Sequence, residues 1–123
     1  KQGTIIKILE KTRDKKNEQN IWLAFTPIKQ NPMNFLIQKG TELGIQKFIP
    51  ILSERTSVKD INTERIKKII IESAEQSNRI SVPEVTTLET LKNFISSLTN
   101  YIFHKSIKIF GLYLKSIYSM INY

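Results

Sequence analysis

A chain of 123 residues with 40% hydrophobic and 24% charged residues can build one modest core, so one domain plus fragments is expected. There is no Cys, which excludes a disulfide framework and a thiolate metal site, and the single His104 cannot form a metal cluster by itself. The formal net charge of +8 suits an RNA partner, but 15 Lys against 4 Arg, with 21 Ile and 9 Asn, fits the codon bias of an AT-rich genome as well.

The chain begins at Lys1 rather than Met and has no N-terminal apolar segment with a cleavage site, as expected of a piece of a longer, cytoplasmic protein. Gly3 to Arg13 alternates partly and reads as one strand, and the polar run Asp14 to Asn20 reads as a turn or linker. One strand cannot bury its own face, so this segment must pack on the α/β part, as an edge strand of the main sheet for instance, or stay poorly ordered. Ile21 to Phe25 is a continuous apolar run, the pattern of a parallel strand buried on both faces.

Asn31-Pro32 then reads as a helix start, with Asn as the cap and Pro losing nothing by lacking its N–H. Met33, Leu36, Ile37, Gly40 and Leu43 make one apolar stripe, and Gly44 can take the left-handed conformation that ends the helix. Lys47 to Leu52 is a short apolar run that reads as a buried strand, completing a βαβ unit. A second helix begins near Asn62 or Thr63 and ends before Pro83, with Ile66, Ile69, Ile70, Ser73, Ala74 and Ser77 on one face. Thr86 and Glu89 have capping-box spacing for a third helix that turns Leu88, Leu91, Ile95 and Leu98 inward, and Tyr101 to Phe103 reads as a third strand. From Thr90 onward there are four Lys and no acidic residue, and six of eleven aromatics lie in Tyr101 to Tyr123. Lys108 and Lys115 make a membrane span at Ser106 to Tyr123 costly, so no membrane is expected there, while an amphipathic surface helix stays open.

Three stretches in order, Q-K-G-T-E-L-G-I (38–45), P-I-L-S-E-R-T (50–56) and E-S-A-E-Q-S-N-R (72–79), resemble the ribosomal RNA small subunit methyltransferase E family. The resemblance spans roughly Ile21 to Val85. It implies a SPOUT-type α/β knot enzyme that transfers a methyl group from S-adenosylmethionine to N3 of a uridine in 16S ribosomal RNA and acts as a homodimer on the small ribosomal subunit. The implied architecture is an incomplete SPOUT-type α/β domain with a parallel sheet, preceded by a remnant of a PUA-like β-barrel. The corresponding division is residues 1–19 for the barrel remnant, 20–104 for the N-terminal part of the methyltransferase domain, and 105–123 for a divergent tail, read as the ending of an interrupted gene. The family's G-P-E-G-G turn and its L-G-x-x-I-L-R-x-E-T-A loop have no counterpart here, so the chain alone is expected to hold no cofactor. Without the knot, apolar surface should be exposed, which predicts self-association.

The candidate site residues lie in the matched motifs. Glu54 and Arg55 follow the second strand and so stand at its carboxyl end, where open α/β sheets bind ligands, with Arg55 suited to a phosphate or base edge and Glu54 to orienting it. A plain surface ion pair is the alternative. Lys39 is a candidate for the RNA backbone with Glu42 beside it, or both are solubilising charge. Glu75, Gln76 and Arg79 are placed on one face of the second helix, where Gln76 and Arg79 become RNA-facing candidates. Arg55 and Arg79 are expected to be the strongest RNA contacts; no residue is assigned as catalytic. The functions left open are the methyltransferase itself, a non-catalytic RNA-binding fragment, and an inactive gene product.

Overall fold

The computed structural model describes residues 3–14, 19–104 and 108–109. Its elements, in chain order, are β1 (Ile21–Phe25), α1 (Gln30–Glu42), β2 (Lys47–Leu52), α2 (Thr63–Gln76), β3 (Glu84–Val85), β4 (Glu89–Thr90), α3 (Leu91–His104) and β5 (Lys108–Ile109). The strands pair in parallel in the order β3-β2-β1-β5, and β4 also lies beside β2. Moving from β1 through β2 to β3 steps one way across the sheet, and β5 then appears on the far side of β1. Because parallel crossovers share one hand, α1 and α2 must cover one face and α3 the other.

The two cores confirm that placement. Met33, Ile37, Phe48, Ile66 and Ile70 are buried together with Leu23 and Phe25 against them, while Ile49, Ile51, Phe94 and Leu98 form a second cluster with Trp22, Ala24 and Leu91. Alternate residues of β1 and β2 thus face opposite helical layers, as the two-residue repeat of a strand requires. Each fully buried Ile or Phe contributes about 1.5–3 kcal/mol relative to exposure. β1 is nevertheless only half-buried along its length, against the expectation of burial on both faces, because β5 pairs with Ile21 and Trp22 alone.

Pro50 stands inside central β2, where a missing N–H ordinarily breaks a ladder. Here it costs little. β3 pairs with Lys47 and Phe48, β4 with Ile51 and Leu52, and Pro50 falls in the gap between those two short ladders.

Helix ends account for most differences from the sequence reading. Helix α1 begins two residues before Pro32, with Lys29 as a cap that makes no side-chain bond, so Asn31 is not the cap and Pro32 sits within the first turn, whose N–H groups have no intrahelical partner in any case. At its other end the Ile45 N–H reaches the Gly40 carbonyl at 3.0 Å and the Gly44 N–H reaches Thr41 at 3.2 Å, a Schellman turn that Gly44 supports at φ 98°. Leu43 lies outside the last helical turn and is 82% exposed; Thr41 takes the inward position instead. Gly40 has a packing role, since a Cβ there would sit 2.8 Å from the buried Phe48 ring. Asn62 caps α2 by accepting from the Arg65 N–H at 2.9 Å, so the helix starts within the expected Asn62 or Thr63.

Helix α3 starts at Leu91 rather than after Thr86, because Glu89 and Thr90 are taken up by β4; Thr90 caps it, accepting from the Asn93 N–H at 3.3 Å. Its inward residues include Phe94, which periodicity alone had not singled out. Tyr101 to Phe103 belong to α3 and form no strand. Gly3 to Arg13 forms no strand either. Ile5 is 95% exposed and Ile6, Ile8 and Leu9 are also exposed, so the barrel remnant is not seen among the described residues, for want of a partner strand. Beyond Lys108 and Ile109 the tail, with its amphipathic-helix reading, lies outside the described residues.

Candidate functional site

All strands point the same way, so each helix starts at the carboxyl edge of the sheet and ends at the amino edge. This divides the candidate residues into two groups. Glu54 and Arg55 are at the carboxyl edge, in the turn that leaves β2. The Thr56 N–H donates to the Ser53 carbonyl at 3.0 Å, the Thr56 hydroxyl accepts from the Ser53 N–H at 2.9 Å, and Thr56 is buried. The S-E-R-T motif is therefore a turn pinned at both ends that pushes its two middle side chains into solvent. Arg55 makes no ion pair with Glu54, so the orienting contact expected between them is absent.

Lys39, Glu42, Glu75, Gln76 and Arg79 are at the opposite, amino edge. The Lys39 ammonium lies 2.7 Å from a Glu42 oxygen and over the Phe35 ring at 5.9 Å, and Gln38 donates to the other Glu42 oxygen at 3.1 Å. The hydrogen bond from Lys39 holds the Glu42 carboxyl below its ordinary 4.5, opposed by some desolvation. Lys39 is thus committed within its own helix. Glu75 and Gln76 are exposed in the last turn of α2.

Arg79 is not on their face. Helix α2 ends at Gln76, and Asn78 adopts φ 54° in a second Schellman turn, with the Arg79 N–H bonded to the Ala74 carbonyl at 2.9 Å. The turn swings the Arg79 side chain inward. Its guanidinium donates to the carbonyls of Thr41 at 2.6 Å and Ile45 at 2.9 Å and to the Ser81 hydroxyl at 2.9 Å. Arg79 ties the end of α2 to the end of α1, a structural post rather than the solvent-facing position that an unbroken helix would give it.

The carboxyl edge holds a cluster the sequence did not disclose. With the amide oxygens of Gln30 and Asn34 turned toward it, the Arg65 guanidinium donates to Gln30 and, at 3.0 Å, to Asn34. Both partners are neutral. Arg65 therefore has no carboxylate partner, whereas Lys11, Lys39, Lys47 and Lys67 each face one. Gln30 and Asn34 are spaced i, i+4 on α1, but Arg65 lies 31 positions after Asn34, and only the common starting edge of α1 and α2 brings them together. Among the described residues no group of acidic, His or Cys side chains could hold a metal, and no helix is long and apolar enough to cross a membrane.

The family model for an RNA methyltransferase domain matches residues 15–116. The chain belongs to the RNA methyltransferase domain family. Its relatives include proteins named ribosomal RNA small subunit methyltransferase E from Rickettsia conorii, 28% identical over 81% of this chain and 41% of that protein, and from Bacillus subtilis, 33% identical over 66% and 34%. Among solved structures, the Neisseria gonorrhoeae ribosomal RNA small subunit methyltransferase E bound to S-adenosyl methionine is similar, with a TM-score of 0.62 and 31% identity over 69% of this chain and 38% of that one. A putative methyltransferase from Legionella pneumophila with bound cofactor has a TM-score of 0.60 at 29% identity, covering 65% and 36%. This member of the family spans a third to about two fifths of the relatives named above. The family match crosses residue 105, where the sequence reading had placed the start of a divergent tail.

No described glycine stands at the carboxyl edge of the sheet, where one would let the backbone close on a ligand. Gly40 is instead closed off by Phe48, Gly44 ends α1 at the amino edge, and Gly3 lies in the exposed N-terminal segment.

Proposed function

We propose that residues 20–104 are the N-terminal part of a SPOUT-type domain whose reaction is the S-adenosylmethionine-dependent methylation of uridine N3 in 16S ribosomal RNA. In this reading the segment supplies RNA contacts, and the cofactor is held by family elements that the described residues do not contain. The observation that carries it is the family match, which spans all three motifs; Arg55 in the turn after β2 and Arg65 in the first turn of α2, both at the carboxyl edge, support it. A fixed guanidinium with no carboxylate partner is matched to a phosphate oxygen pair. Uridine N3 must lose a proton before it attacks a methyl group, and no described side chain is assigned that task. A non-catalytic RNA-binding fragment is the competing reading, and it shares the same contacts.

Two titrations test this. Calorimetry of the purified chain with S-adenosylmethionine is expected to show no saturable heat; saturable binding would overturn the cofactor statement. Anisotropy with 16S ribosomal RNA oligonucleotides at several salt concentrations is expected to show binding whose log–log salt slope falls by about one for each of Arg55→Ala and Arg65→Ala. Unchanged affinity and slope in both variants would overturn the assignment of these arginines. Homodimerisation, a family property, is expected to persist as self-association through exposed apolar residues such as Ile5 and Ile8. A monodisperse monomer would count against that.

A further inference from the structure

Helix α2 and strand β3 border a groove of about 380 Å³ whose walls include the apolar side chains of Ile70, Ile71, Val82, Pro83 and Val85. Strand β3 is the outermost strand on its side of the sheet, so among the described residues no strand lies beyond it. The N–H groups of Glu84 and Thr86 turn inward to the Gln46 and Phe48 carbonyls at 2.9 and 3.0 Å, which leaves the Val85 N–H and carbonyl facing outward. Pro83 takes the other outward position and offers a carbonyl only, so a chain seated here is held mainly by its side chains. Apolar surface for them is in place, since Ile71, Ile80 and Val82 are 46%, 42% and 54% exposed.

One segment of the same chain has the complementary character. Residues 3–13 are exposed throughout, with Ile5, Ile6, Ile8 and Leu9 at 95%, 84%, 87% and 84%. Extended, the segment has Ile6 and Ile8 on one face and Ile5 and Leu9 on the other. Its root stands beside the groove, because the Arg13 guanidinium donates to the Asn78 carbonyl at 2.9 Å, and Asn78 lies just past the end of the α2 stripe that runs through Lys67, Ile71 and Glu75. Charge matches as well. The segment carries Lys7, Lys11 and Arg13 against Glu10, whereas the groove's rim presents exposed Glu75 and Glu84, and the lining cation Lys67 already has Glu64 at 2.8 Å.

Building on the self-association expected above, we propose that two copies of this chain exchange residues 3–13, each segment lying in the other copy's groove between α2 and β3. Ile6 and Ile8 enter the groove, and the segment's cations lie over its acidic rim. A groove in the same chain covers only one face of the segment and leaves the other in water. Exchange covers both, the first by the groove and the second by the other copy's segment crossing in the opposite direction. Ten extended residues at about 3.3 Å each span roughly 33 Å, so a segment rooted at Asn78 reaches an adjoining copy with its root in place. Reciprocal exchange closes as a two-fold dimer instead of growing into a filament. An Ile or Leu side chain removes on the order of 100 Å² from water, so four from each copy and the groove surface over them bury about 1,200 Å², above the roughly 1,000 Å² that a specific interface needs.

The chain has no cysteine, so introduced thiols are the only ones present. Full chains carrying Ile8→Cys and Val82→Cys, both at exposed positions, are mixed and oxidised, and the linked peptides are identified by mass spectrometry. A disulfide joining position 8 of one chain to position 82 of another is expected, and the double variant should link into covalent dimers. Links closed within single chains, leaving monomers, would overturn the exchange in favour of a segment folded onto its own groove. By sedimentation the parent chain is expected to dimerise, with a dissociation constant raised about tenfold or more in Ile6→Asp/Ile8→Asp and in Val82→Asp. Phe35→Asp, at an exposed apolar position outside the groove, should leave it unchanged. A monomer at every concentration would overturn both the exchange and the self-association beneath it. A dimer indifferent to the segment and groove variants, or weakened as much by Phe35→Asp, would overturn the exchange alone. None of these variants alters Arg55 or Arg65, so the salt-slope titrations judge the RNA reading separately.

Discussion

Replacing Arg79 by Ala removes three hydrogen bonds from a charged donor, at 2.6, 2.9 and 2.9 Å, two of them to carbonyls at the end of α1. A hydrogen bond to a charged group is worth about 1.5–3 kcal/mol, and an acceptor left buried costs a further share. Thr41 is fully buried, but its carbonyl keeps the Gly44 N–H at 3.2 Å, and half-buried Ile45 can rehydrate, so that further share is small. The terms overlap, and a net loss of about 2–4 kcal/mol is expected, a large part of the 5–15 kcal/mol of a typical domain. In urea, with a slope of about 1.5 kcal/mol/M, that moves the midpoint down by roughly 1.3–2.7 M at unchanged slope. Arg79→Lys should recover less than half, because one ammonium cannot reproduce a planar fork spread over three acceptors. A midpoint within about 0.3 M of the parent for Arg79→Ala, together with weakened RNA binding, would refute this reasoning and return Arg79 to the RNA-facing surface.

Gly40→Ala should destabilise the fold by about 1–3 kcal/mol through overpacking against Phe48, less about 1 kcal/mol gained in helix propensity; a more stable variant by thermal melting would show that the ring can yield. Asn62→Ala removes the α2 cap and should cost about 1 kcal/mol, with Asn62→Asp close to neutral, both read from urea midpoints. Because the Lys39 hydrogen bond depresses the Glu42 carboxyl, its stabilisation is present above the ordinary value of 4.5 and is lost as pH falls through the lower folded value. Glu42→Gln should therefore flatten the acid limb of the stability profile, and an unaltered limb would argue that Lys39 is free for another partner.

Much of the frame was legible because it rests on local chemistry. The continuous runs at Ile21 and Lys47 become β1 and β2 with the expected bounds, Asn62 caps α2, and Gly44 ends the chain's first helix in the left-handed conformation its missing Cβ permits. The family resemblance, carried by the residues between Gln38 and Arg79, holds across residues 15–116. What failed were extrapolations of a local pattern past a helix end. Arg79 keeps helical spacing from Glu75, and Thr86 keeps capping-box spacing from Glu89, yet neither position is helical.

The amino-acid sequence by itself therefore determined the types of β1, α1, β2 and α2, the parallel direction of the sheet and the family. Tertiary structure decided which charges are available. Lys39 and Arg79 are consumed by a carboxylate and by helix-end carbonyls at the amino edge, while Arg55 and Arg65 stay uncompensated at the carboxyl edge. Whether a cation is spent or available depends on the groups that other segments bring to it, and spacing along one segment carries no record of them.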